Sequence, residues 1–314
     1  MRTEQIPTRT ILNPTGGFLG GGFTHTMNLY RGCALGNSLC GLYCYAQWNP
    51  HHTLGRPWGG FLDVKTEFLE AYRAQYDRLK RPPRGEPKPL RIFLSSVTEP
   101  YPPQERTARR MRRLLEEMVI RPPDLLVIQS HTPLVLDDLS VLQQLRERCG
   151  LQINITVETD QEQLPSPFPR HAYPPASRIA ALRSLKEAGL FTVAAVSPLL
   201  PLNNPRRFAR QLEAACDRVI LDHYLLGDGS PNGQRTQQTR LPMLLTADGH
   251  AAWTDLEIFW DVVGLFREVF GPQRVGVSRA GFNEAHAETR ADPSTTCAPD
   301  APTGKMAISQ GQQP

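Results

Sequence analysis

Three cysteines, Cys33, Cys40 and Cys44, fall within twelve residues of the stretch RGCALGNSLCGLYCYAQWN, and Tyr45 follows the last of them. They are half of the six cysteines in the chain, the others being scattered singly at Cys149, Cys216 and Cys297. Thiolates packed this closely in one connector usually bind metal, because the loop can wrap an ion or a cluster without help from the rest of the fold. Two chemistries fit the spacing. A [4Fe–4S] cluster takes four ligands, so three from one loop leave one iron open to a group other than protein. Alternatively, His51 or His52 completes a three-cysteine, one-histidine set around a structural zinc ion. A disulfide framework is disfavoured, since the group is odd in number.

The elements that must position this loop are read from composition and periodicity. The chain has 314 residues, enough for one large core, and its 35 basic against 31 acidic residues give a formal charge of +4. That balance alone does not argue for nucleic acid. No apolar run approaches the roughly 20 residues of a membrane span, and MRTEQIPTRT lacks a secretory apolar segment, so a cytoplasmic location is expected. Residues 1–24 are rich in Pro and Gly and read as an irregular lead-in. His25 to Tyr30 reads as a first strand that delivers the chain to the cysteine loop. A helix is expected from Asp63, as cap, to Lys80. Apolar β-rich runs then begin at Leu90, Asp124, Leu151, Leu190 and Arg218. They alternate with helices over Pro103–Val119, Leu134–Arg148, Pro175–Ala188 and Pro205–Ala215. A polar loop to Ala252, a helix from Trp253 to Phe270 and a strand over Arg274–Val277 follow.

Alternating β and α predicts an α/β fold with a parallel sheet. About six βα units, with no G-x-G-x-x-G turn, favour a partial TIM-type barrel over residues 25–283, with the cysteine loop after its first strand. Residues 284–314 carry almost no large apolar side chains and read as a disordered tail. In such folds a ligand sits at the carboxyl ends of the strands. Here those ends carry Ser95, Ser96, Thr98, Glu99, Ser130, His131, Thr156, Glu158, Thr159, Ser197, Asp222 and His223, a polar set suited to a polar cofactor. Glu99 and Glu158 are equally readable as helix caps, and His131 and His223 as rim residues or proton-transfer groups. Arg106, Arg109, Arg110, Arg112 and Arg113 form a basic helix face, to be matched with Glu105, Glu116 and Glu117 or with a phosphate backbone. Lys80, Arg81, Arg84, Lys88 and Arg91 add a second basic run.

Several motifs resemble the radical S-adenosylmethionine enzymes, in the branch called spore photoproduct lyase-like or DNA repair photolyase-like. They are NLYRGC, CYAQ, VKTEFLEAYRAQ, SSVTEPYPPQE, QSHTPLVLDDLSVL, RIAALRSLKEAGL and VSPLLPLNN, in order between about Asn28 and Asp228. The resemblance implies Cys33, Cys40 and Cys44 as ligands of a [4Fe–4S] cluster whose open iron holds S-adenosylmethionine. Tyr45 then borders the adenine, and Ser95, Ser96, Glu99, Glu158 and Ser197 fall at cofactor-contact positions. It implies an electron donor such as a flavodoxin or ferredoxin, and a substrate that the sequence does not name, with nucleic acid or a modified base in view. The chain departs from the family in spacing its cysteines C-x6-C-x3-C rather than C-x3-C-x2-C, which bears on cofactor seating. It also lacks a cysteine in the strand Ile153–Glu158, which argues against photoproduct repair itself. The reading from a different class is a non-catalytic zinc or iron–sulfur interaction module on the same scaffold.

Overall fold

The computed structural model describes residues 1–285. Eleven strands follow in chain order: β1 Gln5–Pro7, β2 Asn13–Pro14, β3 His25–Met27, β4 Tyr30–Gly32, β5 Leu62–Thr66 and β6 Arg91–Leu94, then β7 Leu125–Ser130, β8 Gly150–Thr156, β9 Phe191–Val196, β10 Arg218–Leu221 and β11 Val275–Val277. Eight form one sheet in the order β11-β10-β9-β8-β7-β6-β3-β2, parallel throughout except for the antiparallel edge β2. Among the described residues β2 and β11 do not pair, so the sheet is open. A second sheet, β1-β5-β4, carries the cysteine loop between β4 and β5.

Alternation along the strands separates two environments. Ile153, Ile155 and Val157 face the helices and join the main core with Leu182, Phe208 and Phe266. Gln152, Asn154 and Thr156 occupy the other face. There Gln152 donates to Asn154 (2.7 Å), Asn154 to Gln129 (3.1 Å), and Gln129 to Thr156 (2.6 Å). Nearer the amino ends of the strands that face is apolar, filled by Phe23, Phe93, Leu125 and Val127 with Phe282 packed on them. The open side is covered by two short pieces, the turn Gly17–Leu19 and the helix Ser278–Asn283. They meet where the Asn283 amide donates to the Phe18 carbonyl at 2.7 Å.

Several elements depart from expectation. The lead-in is not wholly irregular, since β1 pairs with β5 and β2 with β3. The first strand is shorter than His25–Tyr30, and β4 intervenes before the cysteines. Asp63 is no helix cap but lies fully buried in β5, and the helix runs Phe68–Lys80. Burying one carboxylate against two arginines requires an extended strand there. The helix expected over Pro103–Val119 breaks at Arg109 (φ 47) into Glu105–Ala108 and Arg110–Ile120. The loop after His223 contains the helices Tyr224–Gly227, Gln234–Gln237 and Leu241–Ala247. Leu241, Leu244 and Leu245 bury a face there against Leu39 and Tyr43 of the cysteine loop. The tail beyond residue 285 lies outside the described residues.

Candidate cofactor and metal site

The cysteine loop is folded tightly on itself. Cys33 follows Gly32 (φ +81), Cys40 lies in the helix Leu39–Tyr43, and Cys44 links that helix to the turn Tyr45–Trp48. A Cβ on Gly41 would lie 1.8 Å from the Gly36 carbonyl oxygen, and one on Gly36 2.4 Å from the Gly59 nitrogen. Backbone therefore touches backbone at both positions, which only glycine permits. The ends of the loop are tied together by Asp63, which accepts from Arg31 (2.9 Å) and from Arg56. Burial pushes that carboxyl up, and the two guanidiniums outweigh it, so it lies below its usual range.

All three thiols line one cavity of about 430 Å³ at the carboxyl ends of the parallel strands, within the size range of ligand pockets. Burial raises Cys33 to about 12 and Cys44 to about 11, and lifts Cys40 well above the ordinary thiol value. For Cys33 and Cys40 the neighbouring thiols add to the rise. Burial thus favours the neutral thiols, and a bound metal centre would favour the thiolate form that ligates it. His52 lines the same cavity, whereas His51 is exposed. Among the described residues no three or more His, Cys, Asp or Glu side chains converge as a single-ion site would.

The expected strand-end residues divide into two groups. Tyr45, Ser95, Ser96, Glu99 and Ser197 all line the cavity. The Tyr45 hydroxyl donates to the Ser96 carbonyl at 2.5 Å, and Ser95 sits at φ +73 with its buried Oγ lacking a partner. Glu99 is occupied internally: it accepts from the Ser130 hydroxyl (2.7 Å) and from the backbone N–H groups of His131 (2.8 Å) and Tyr101 (3.0 Å). Glu158, expected at a cofactor-contact position, is not among the residues that line the cavity. It pairs with Arg178 at 2.6 Å, both side chains 2% exposed, and accepts from the Tyr43 hydroxyl. Burial alone would raise its carboxyl, but Arg178, His131 and Tyr43 hold it down to about 2.

His131 lines the cavity beside Glu99, at 3.6 Å. His223 does not: it caps the helix Tyr224–Gly227, and its Nε2 meets the Trp253 carbonyl at 3.1 Å. The arginine cluster is only partly matched as expected. Arg112 pairs with Glu116, but Glu105 is buried against Tyr30, and Glu117 serves Arg73 and Arg121. Sequence reasoning missed Tyr43, Arg178, Asp228 and Arg235. The only signal for Arg178 was its place beside apolar residues on the inward face of RIAALRSL, where an arginine needs a buried acid. Neither Cys149 nor Cys216 lines the cavity; each thiol donates to a carbonyl in the turn before it.

An open, mostly parallel α/β sheet with a polar, thiol-bearing cavity at its carboxyl edge is the class that these features define. The chain shares this fold with spore photoproduct lyase. The lyase complexed with dinucleoside spore photoproduct superposes with a TM-score of 0.56 at 16% identity, covering 88% of this chain and 81% of that one. A mutant of the same lyase gives 0.54, covering 81% and 76%. No protein-family model matches the sequence. It is 30% identical over 156 residues to an uncharacterized protein of Acidianus two-tailed virus, spanning 50% of this chain and 48% of that protein. It is 24% identical over 180 residues to an uncharacterized protein of Methanocaldococcus jannaschii, spanning 57% and 62%. The chain therefore matches between about half and three fifths of these relatives' lengths. Among the described residues no helix is long and apolar enough to cross a membrane.

Proposed function

We propose that this chain is a radical S-adenosylmethionine enzyme built as a partial TIM-type barrel, with Cys33, Cys40 and Cys44 as the protein ligands of a [4Fe–4S] cluster. One observation carries the reading: three free thiols from a single connector, Cys33 buried and Cys40 and Cys44 half-buried, line one ligand-sized cavity at the carboxyl ends of the parallel strands. When bound and reduced, the cluster and S-adenosylmethionine together supply a 5′-deoxyadenosyl radical able to take a hydrogen atom from a substrate. The protein's own tasks are to seat, orient and enclose. Asp63 holds the two ends of the loop through Arg31 and Arg56, and the Tyr43–Glu158–Arg178 chain holds its middle. Tyr45, Ser95, Ser96 and Ser197 border the cofactor, while Phe18, Phe93 and Phe282 add an apolar part to the lining.

We extend the reading to a nucleic acid or modified base as substrate, because the lyase that shares the fold was solved with a dinucleoside photoproduct. Photoproduct repair itself is left out, since no cysteine of the described residues besides the three of the loop lines the cavity. The partners are then S-adenosylmethionine and a small electron carrier such as a flavodoxin or ferredoxin, in a reducing cytoplasmic setting that keeps the thiols free. The test is anaerobic purification with iron and sulfide analysis and visible spectroscopy. A brown protein that yields 5′-deoxyadenosine from S-adenosylmethionine and dithionite supports the reading, and Cys40→Ala should lose both colour and cleavage. A colourless zinc protein, or a cluster whose spectrum ignores S-adenosylmethionine, overturns it.

A further inference from the structure

Asp222 follows β10 and lines the same cavity, yet its side chain is not consumed by the fold. The residue is 3% exposed. Its Oδ2 accepts from the Ser197 hydroxyl at 3.1 Å and Oδ1 is buried without a hydrogen-bond partner, while burial pushes the carboxyl up to about 7 against the opposing pull of the Ser278 and Ser197 hydroxyls and the His223 backbone N–H. The carboxyl group is also clamped from the side: a Cβ on Gly227 would lie 1.7 Å from Oδ2, so the backbone of the helix Tyr224–Gly227 packs directly on it. A buried acceptor left unpaired costs about 1–3 kcal/mol, and more when charged. Rigid, desolvated and half-satisfied, such a group is a preorganised acceptor for a ligand donor. Tyr45 lines the same cavity, its hydroxyl donating to the Ser96 carbonyl at 2.5 Å. A cavity lined by both an aromatic ring and an unpaired carboxyl oxygen suits a nucleoside, which offers a flat base together with amino and hydroxyl donors.

Resting on the radical S-adenosylmethionine reading, we propose that Oδ1 of Asp222 accepts a hydrogen bond from the adenosyl portion of S-adenosylmethionine, with Ser197 and Gly227 acting as its positioning residues. No bond is made or broken by this residue. Its role is to select and orient the nucleoside over the thiol-bearing loop.

The test is equilibrium binding of S-adenosylmethionine to the anaerobically loaded protein and to Asp222→Asn, which keeps the shape but replaces one acceptor with a donor. Measured above the raised carboxyl value of about 7, where Asp222 is ionised, the expected result is a Kd raised about ten- to hundredfold in the variant, the range of a hydrogen bond to a charged acceptor, with iron content unchanged. Competition on the unmutated protein by adenosine, purine riboside, 2′-deoxyadenosine and 3′-deoxyadenosine tells which donor is read and needs no variant to fold. One of the three analogues should bind at least tenfold more weakly than adenosine, and on Asp222→Asn that difference should vanish. Equal Kd values for the two proteins, or analogue losses that persist in the variant, overturn the proposal while leaving the proposed function standing. Failure of the unmutated, loaded protein to bind S-adenosylmethionine at all overturns both.

Discussion

Truncating Glu158 to alanine strands the Arg178 guanidinium in the interior, where its side chain is 2% exposed and only neutral partners remain, the Thr156 carbonyl at 2.5 Å and His171 Nδ1 at 3.2 Å. Breaking a buried pair by removing one partner costs about 3–5 kcal/mol, because a charge is left uncompensated. The depressed carboxyl gives an independent figure. A fall from 4.5 to about 2 corresponds to about 3 kcal/mol of preferential stabilisation of the ionised form. A folded value below the unfolded one means that this contribution is present above about pH 4.5 and is lost as the pH falls toward 2. The assay is urea and thermal unfolding of the metal-free protein at pH 7. A loss of about 3–5 kcal/mol is expected, together with a Tm drop of about 6–20 °C. The double variant Glu158→Leu with Arg178→Met should recover much of that loss, since no charge is then left buried. Tyr43 also loses its acceptor, and it stands between Cys40 and Cys44, so bound iron should fall in the single variant. A single variant within 1 kcal/mol of the unmutated protein, or a double variant whose loss is the sum of the two singles, refutes the claim that this pair anchors the loop.

Three further outcomes follow from the same geometry. Gly41→Ala drives a Cβ to 1.8 Å from the Gly36 carbonyl oxygen, so the loop must open; iron per chain should drop more than severalfold, while circular dichroism of the sheet and helices is retained. Asp63→Ala removes the shared acceptor of Arg31 and Arg56 and should cost about 3 kcal/mol or more in denaturant titration, with slower iron uptake on reconstitution. Gly227→Ala cannot avoid the Asp222 carboxyl, with 1.7 Å between Cβ and Oδ2, and should lower both Tm and affinity for S-adenosylmethionine.

What could be read before any coordinates was whatever local chemistry and short-range periodicity encode. The cysteine triplet, the βα alternation from Leu90 onward and the polar strand ends are of this kind, and each recurs in the fold near its expected position. Elements whose form depends on distant partners were misread. Asp63 looks like a helix cap beside its neighbours, yet two arginines on either side of the cysteines draw it into a strand. The segment after His223 is polar along the chain and folds into helices because Leu241, Leu244 and Leu245 find Leu39 and Tyr43 to cover. Glu158 reads in the sequence as a cofactor contact or a helix cap; in the fold it pairs with Arg178, from a helix twenty residues further on, which no local pattern shows. The clustering of three thiols and the order of the βα units from Leu90 onward were thus legible in the sequence alone. Which carboxylate anchors the loop and which is left with an idle oxygen was decided by tertiary structure, because desolvation and charge pairing depend on neighbours that only the folded chain brings together.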